Sequence, residues 1–114
     1  MEKLSSIYLH HILECISRIR AYTKDIDEQA FLKDFLLQDA VIRNLEVIGE
    51  AVKKVSSSIR KQYPEIPWKN IAGMRDKLIH DYMGVDVRAV WGVVEDVLPD
   101  FEQQIRHIID SIVE

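Results

Sequence analysis

Apolar residues recur at every third or fourth position along nearly the whole chain, and this spacing constrains the fold more than any other feature. Only three prolines and four glycines interrupt the 114 residues, and no segment has the character of a strand. A chain of this length forms one domain, residues 1–114, and buries roughly two-thirds of the surface of its unfolded state. The pattern predicts an all-α domain, an up-and-down bundle of four or five helices with short connections.

Capping and helix-breaking residues divide this pattern. The first helix is predicted from about Leu4 to Tyr22, and Asp27 is expected to cap a short helix over residues 28–34. A long helix comes next, with an apolar stripe that reaches Ile59 and is broad enough to pack on the core and on a second subunit. The segment 63–67, with two prolines, ends it, Asp86 is expected to cap the last helix, and Pro99 to kink or restart that helix.

Composition indicates a soluble globular protein, with 47% hydrophobic and 30% charged residues. The single cysteine, Cys15, excludes an internal disulfide, fits a reducing compartment and is expected to be buried as a small apolar residue. No apolar run reaches the roughly 18–20 residues of a membrane span, and the first residues do not resemble a signal peptide. We therefore expect a cytoplasmic protein without a membrane association.

Charge is unevenly distributed. The net charge is −4, but residues 53–80 hold seven lysines and arginines against two acidic residues. One interpretation is a local basic field that attracts a phosphate chain. The other is that cations near the end of a helix complement its dipole.

The most reactive segment is 74–82, which combines Arg75, His80 and Tyr82 on a predicted helix with one apolar side. Metal-independent cleavage of RNA needs a proton acceptor, a proton donor and a cation for the charge that develops on the phosphate. Histidine titrates near neutral pH, and the planar arginine fork matches phosphate oxygens. Arg75 and His80 are therefore candidate catalytic residues, although such side chains on a helix surface are more often solvated or locally paired.

Five residues along an ideal helix place Arg75 and His80 about 140° and about 7.5 Å apart, so one helix does not bring them together. A two-fold dimer that places Arg75 and His80 of both protomers around one cleft would bring these side chains together. Asp76, four residues before His80, is expected to orient it, and Lys77 to pair with Asp81.

The long helix carries further candidates on its polar side, where Arg43, Asn44 and two glutamates either face solvent or line the site opposite the reactive segment. Gly49 marks a close approach of another backbone. Trp68 is expected to anchor the core rather than stack on a base. His10 and His11 point about 100° apart and are expected at the surface. No residues show metal-ligand spacing, and no metal or cofactor is predicted.

Residues 75–82 match the Arg-x4-His-x-Tyr pattern of HEPN-domain toxins, in particular the HepT-like ribonuclease toxins. Residues 40–51 resemble the central helix of that family, residues 67–74 resemble its approach to the motif, and residues 84–91 resemble the segment after the motif. The resemblance therefore covers nearly the whole chain.

The resemblance implies an all-helical homodimer that is the toxin of a type VII toxin–antitoxin system. Its activity would be metal-independent endonucleolytic cleavage of RNA, of the transfer or messenger class, by Arg75 and His80 of both protomers. The implied partner is an MntA-type minimal nucleotidyltransferase antitoxin, which transfers AMP to the tyrosine matching Tyr82 and builds a larger assembly. Many relatives have asparagine where this chain has Asp76, and a carboxylate there competes with RNA for Arg75. The alternative is a non-catalytic helical module that docks the nucleotidyltransferase.

Overall fold

The computed structural model describes residues 2–81 and 84–112. This part of the chain is almost entirely helical and contains no strand, so the predicted all-α class is confirmed. The helices are α1 (Glu2–Thr23), α2 (Glu28–Lys33), α3 (Phe35–Lys54), α4 (Ser57–Gln62), α5 (Trp68–His80), α6 (Val87–Gly92) and α7 (Leu98–Ile112), with a π-helical turn (Val93–Val97) joining the last two.

The four longest helices, α1, α3, α5 and α7, form the bundle, and the three six-residue helices connect them. Helix α3 packs against both α1 and α5, and α1 packs in turn against α7. None of the helices in the described ranges is both long and apolar enough to cross a membrane. The fully buried side chains at the centre come mainly from α1, α3 and α7, and include Leu9, Ile12, Ile16, Ile19, Val41, Leu45, Ile48, Phe101, Ile105 and Ile108.

Side-chain caps are observed at the predicted starts of two helices. Asp27 accepts a hydrogen bond of 2.9 Å from the Ala30 amide at the start of α2. Asp86 accepts hydrogen bonds from the Arg88 and Ala89 amides at the start of α6. Trp68 is buried, and its Nε1 donates to the Tyr63 carbonyl at 3.0 Å, which confirms its role as a core anchor. These polar contacts satisfy backbone groups that a helix end leaves without partners.

The long helix ends earlier than its apolar stripe predicts. Helix α3 stops at Lys54, Val55 is extended, and the Ser56 hydroxyl accepts from the Ile59 amide to begin α4. The Ser56 amide donates to the buried hydroxyl of Ser5 on α1 at 3.0 Å. Because Val55 and Ile59 are both buried, the apolar spacing continues across the break and conceals it.

The apolar stripe of α1 is only partly covered by its neighbours. Leu4 and Ile7 are 56% and 49% exposed, whereas Leu9 is fully buried. The stripe is wider than the face that α3 and α7 cover. The sequence therefore does not indicate which edge of the stripe is buried, and the packing of the helices decides it. Cys15 is buried as predicted, and burial raises the pKa of its thiol.

Pro99 restarts the last helix. The Leu98 amide donates to the Val93 carbonyl five residues back, which is the bond that defines the π turn. Proline has no amide hydrogen and cannot continue the regular helical ladder, so the backbone widens immediately before it.

Candidate functional site

Helices α1, α3 and α5 enclose a surface groove of about 230 Å³. Its aromatic wall, Tyr8 and His11, comes from α1, and apolar and charged side chains of α3 and α5 line the rest. Its lining residues are Tyr8, His11, Arg43, Glu46, Val47, Glu50, Ala51, Lys54, Arg75 and Ile79.

Gly49 is the reason that Arg75 reaches this groove. A Cβ atom placed on Gly49 would lie 2.2 Å from the Cβ of Arg75 and 3.2 Å from the Ile71 carbonyl oxygen. Helices α3 and α5 approach so closely only because position 49 has no side chain. The predicted close approach at Gly49 is confirmed, and its consequence is that Arg75 lies directly over the polar side of α3.

Two carboxylates hold Arg75. Its Nε atom lies 3.2 Å from Glu50 Oε1, and its Nη1 donates to Asp76 Oδ1 at 2.9 Å. Lys53 donates to the same oxygen of Asp76 at 2.6 Å. Hydrogen bonds from Lys53 and Arg75 lower the pKa of the Asp76 carboxyl below its ordinary value.

These four side chains are 29–47% exposed, so water reaches every member of the network. Ion pairs exposed to this extent are weak because solvent screens them. The Arg75 guanidinium can therefore exchange a carboxylate for another anion, and its planar fork matches phosphate as well as carboxylate.

Asp76 does not pair with His80. Within the described part of the chain, its ion pairs are with Lys53 and Arg75. The Asp76 carboxylate, at a position where many of the resembled proteins have asparagine, occupies one edge of the Arg75 guanidinium.

His80 is the last residue of α5, is exposed, and does not line the groove. One protomer thus places Arg75 in the groove and His80 outside it, in keeping with the wide angle between them on the helix. Their convergence in a dimer stays a prediction. Tyr82, the predicted modification site, lies outside the described residues.

The three other supporting residues are separated by the fold. Arg43 lines the groove, is 75% exposed and lies 3.9 Å from Glu46. Asn44 is buried, and its side-chain Nδ2 donates to the Ala40 carbonyl of its own helix at 2.9 Å. Lys77 is exposed and lines a different cavity, of about 250 Å³, between α5 and α6. The polar side of α3 therefore faces the groove through Arg43, Glu46 and Glu50, but not through Asn44.

Sequence reasoning missed the aromatic wall. The rings of Tyr8 and His11 meet edge to face with centroids 6.5 Å apart, and both side chains line the groove. The adjacent His10 is exposed and donates from Nδ1 to the Ser6 carbonyl at 2.8 Å. The three-residue spacing of Tyr8 and His11 placed them on one face of α1, but only the packing of α1 on α3 shows that this face meets Arg75.

Within residues 2–81 and 84–112, no group of three or more histidine, cysteine, aspartate or glutamate side chains is arranged to hold a metal ion.

Comparison with known proteins assigns the chain to a family. The model of the family described as "Ribonuclease HepT-like" matches residues 12–108. "Probable ribonuclease HepT" of Thermococcus cleftensis is 45% identical over 90% of this chain and 93% of its own length. "Gamma-glutamylcyclotransferase and putative RNase MJ0434" of Methanocaldococcus jannaschii is 46% identical over 98% of this chain, which spans half the length of that protein. No solved structure matches significantly. The chain belongs to the HepT-like ribonuclease family.

Proposed function

We propose that this protein is an endoribonuclease toxin in which Arg75 binds the phosphate at the cut site and His80 transfers protons. The observation that carries the proposal is the position of Arg75: in a chain of a ribonuclease family, its partly exposed guanidinium lies in a groove with exchangeable anionic partners. Arginine in this setting suits the stabilisation of charge that develops on phosphate oxygens.

The reaction is attack of the 2′-hydroxyl on the adjacent phosphorus. The 2′-oxygen–phosphorus bond forms and the bond to the 5′-oxygen breaks, leaving a cyclic phosphate and a 5′-hydroxyl. One imidazole accepts the proton of the 2′-hydroxyl, and a second imidazole gives a proton to the departing 5′-oxygen. Two copies of His80, one from each protomer, supply both groups, and phosphate oxygens replace Glu50 and Asp76 at Arg75.

A homodimer is supported by exposed apolar side chains of α1. Leu4 and Ile7 are 56% and 49% exposed and lie one helical turn apart. Exposed apolar residues on one helix face favour an interface. If both protomers contribute to each site, subunit exchange between wild-type protein and excess His80→Ala protein makes total cleavage fall with the square of the wild-type fraction. A linear fall would show that each protomer acts alone.

The proposed partner is a minimal nucleotidyltransferase antitoxin that adds AMP to Tyr82. Added phosphates would place negative charge and bulk seven residues after Arg75 in the sequence. This negative charge would repel the phosphate of an RNA that binds Arg75. Producing the protein together with a minimal nucleotidyltransferase and measuring its intact mass tests this step. We expect added AMP that disappears in Tyr82→Phe protein, and an unmodified mass in the presence of an active transferase would contradict it.

The catalytic assignment is tested by incubating the purified protein with transfer and messenger RNA in EDTA. We expect cleavage that is lost in Arg75→Ala and His80→Ala proteins and kept in the matched controls Arg18→Ala and His10→Ala, which alter exposed residues of α1 outside the groove. Unchanged cleavage in folded Arg75→Ala and His80→Ala proteins would remove both assignments.

The second candidate is a non-catalytic module that docks the nucleotidyltransferase. The Asp76 carboxylate favours it, because Asp76 holds an edge of the guanidinium that RNA would need. This function predicts a stable complex with the transferase and no cleavage of any RNA by the chain alone.

A further inference from the structure

We propose that the groove is a subsite for one unpaired nucleotide of RNA, in which Tyr8 and His11 contact the base and Arg75 binds its phosphate. The inference deepens the proposed function and rests on it, since it names single-stranded RNA as the substrate class. Nothing in the reactive segment alone points to α1, which supplies both base-contacting side chains.

The α1 wall has the character of a base-binding surface. Tyr8 is half-buried and contacts the exposed His11 ring at an interplanar angle of 85°. Three apolar side chains, Val47, Ala51 and Ile79, line the same groove. Proteins bind unstacked bases with aromatic and histidine rings because every base offers a flat face of low polarity.

The charged residues of the groove lining favour an anionic ligand. Three cations, Arg43, Lys54 and Arg75, line the groove together with two carboxylates, Glu46 and Glu50. Arg43 and Lys54 lie 3.9 and 4.0 Å from those carboxylates, beyond hydrogen-bonding distance. Arg43 and Lys54 are thus loosely held, and the excess of positive charge in the groove lining complements a phosphate rather than a neutral or cationic ligand.

The combination selects an unpaired nucleotide. In an RNA duplex the bases are stacked on each other, and the deep major groove hides their edges from side chains. A base reaches a groove between three helices of a bundle only when it is free of its stack. A phosphate-binding surface alone would accept either form of RNA, so the aromatic wall is what creates the preference.

Binding measurements on RNA that cannot be cut test the proposal without requiring catalysis. We would use a short single-stranded RNA with 2′-O-methyl groups at every position, and the same strand in a perfect duplex. The variants are Tyr8→Leu and His11→Ala. Their matched controls are Tyr22→Leu and His10→Ala, which change the same residue types on the same helix at exposed positions outside the groove.

We expect each groove variant to weaken single-strand binding by about 5- to 150-fold, the range for loss of one base contact. We expect the controls to bind like wild type and the duplex to bind more weakly than the single strand to wild-type protein. Equal binding by groove variants and controls, equal affinity for duplex and single strand, or no binding of single-stranded RNA by wild-type protein would each overturn the subsite.

The oligomeric state of every variant, measured by light scattering, separates a second explanation. If Tyr8→Leu or His11→Ala converts a dimer into a monomer, the groove belongs to a protein interface and the inference is overturned. Failure of the proposed function has a different signature: single-strand binding that depends on Tyr8 and His11, with no cleavage of unmodified RNA. The reverse result, cleavage that depends on Arg75 and His80 but not on Tyr8 and His11, would overturn the subsite alone.

Discussion

Two ion-pair networks in this protein contain similar groups in opposite arrangements. At one end of the bundle, Glu102 of α7 lies between Arg20 of α1 and Arg106 of α7, at 2.5 and 2.9 Å. In the groove, Arg75 lies between two carboxylates, Glu50 and Asp76. The central carboxylate of the first network is 4% exposed, whereas the central guanidinium of the second is 29% exposed.

This difference in exposure distinguishes an ion-pair network that holds helices together from one that can exchange its ligands. A buried carboxylate must keep its partners, because losing them would leave a charge in a poorly solvated place. Burial alone would raise the pKa of Glu102, but hydrogen bonds from Arg106 and Arg20 outweigh it and lower that pKa below its ordinary value. The Glu102 network therefore clamps α1 to α7, while the Arg75 network stays open to ligand exchange.

The largest expected contrast is between two arginine substitutions. Arg75→Ala should lower kcat/KM for RNA cleavage by roughly 100- to 1,000-fold, as loss of a transition-state donor does. Its free energy of unfolding should change by less than about 1 kcal/mol, since its ion pairs are partly exposed. Arg20→Ala should do the reverse, keeping cleavage and losing about 1.5 kcal/mol of stability. Denaturant titration and cleavage kinetics on the same preparations check both, and loss of cleavage in folded Arg20→Ala protein would break the comparison.

Glu102→Gln should lower the free energy of unfolding by roughly 3 kcal/mol at neutral pH, because it removes both charge-assisted hydrogen bonds. The pKa of Glu102 is lower in the folded than in the unfolded state, so its stabilisation is complete above the unfolded value near 4.3 and is lost as pH falls through the folded value. Stability measured between neutral and acidic pH should therefore fall less steeply in Glu102→Gln than in wild type. An identical acid slope in the two proteins would show that Glu102 is not the titrating group.

Gly49→Ala should destabilise the protein by about 1–2 kcal/mol, since overpacking against Arg75 and the Ile71 carbonyl exceeds the gain in helix propensity. It should also reduce cleavage by displacing Arg75. Gly73→Ala, in α5, is the matched control: among the described residues a Cβ there comes within 4 Å of nothing beyond its own stretch of helix, so we expect a gain of about 0.5–1 kcal/mol. Thermal denaturation shows whether each of the two variants is stabilised or destabilised. A stabilised Gly49→Ala protein would refute the close-approach argument.

The smallest expected effect sharpens the idea of competition at Arg75. Asp76→Asn removes the carboxylate that shares the guanidinium, and the effect should be small because solvent screens an exposed pair of this kind. We expect uncleavable RNA to bind about 1.5- to 5-fold more tightly. Asp110→Asn, an exposed site on α7, gives the same change in net charge and should leave affinity unchanged. If both variants bind RNA more tightly by the same factor, the effect comes from net charge and not from competition at Arg75.

The helical class and the caps at Asp27 and Asp86 could be predicted because they depend on residues close in sequence. The break at Val55 and Ser56 could not, because Ser5 of α1 supports it from about fifty positions away. The exposed edge of α1, with Leu4 and Ile7, was equally uncertain, since a broad apolar stripe does not state which side a neighbour will cover.

The sequence alone determined the periodicity, the caps, the position of the Pro99 restart and the candidate pair of Arg75 and His80, because short-range sterics and side-chain chemistry decide these. Tertiary packing decided which groups meet. It brought Arg75 onto Glu50 through the bare backbone of Gly49, and it turned Tyr8 and His11 of a distant helix toward the same groove. Contacts between helices depend on how whole faces interlock, and no local pattern in the chain records that geometry.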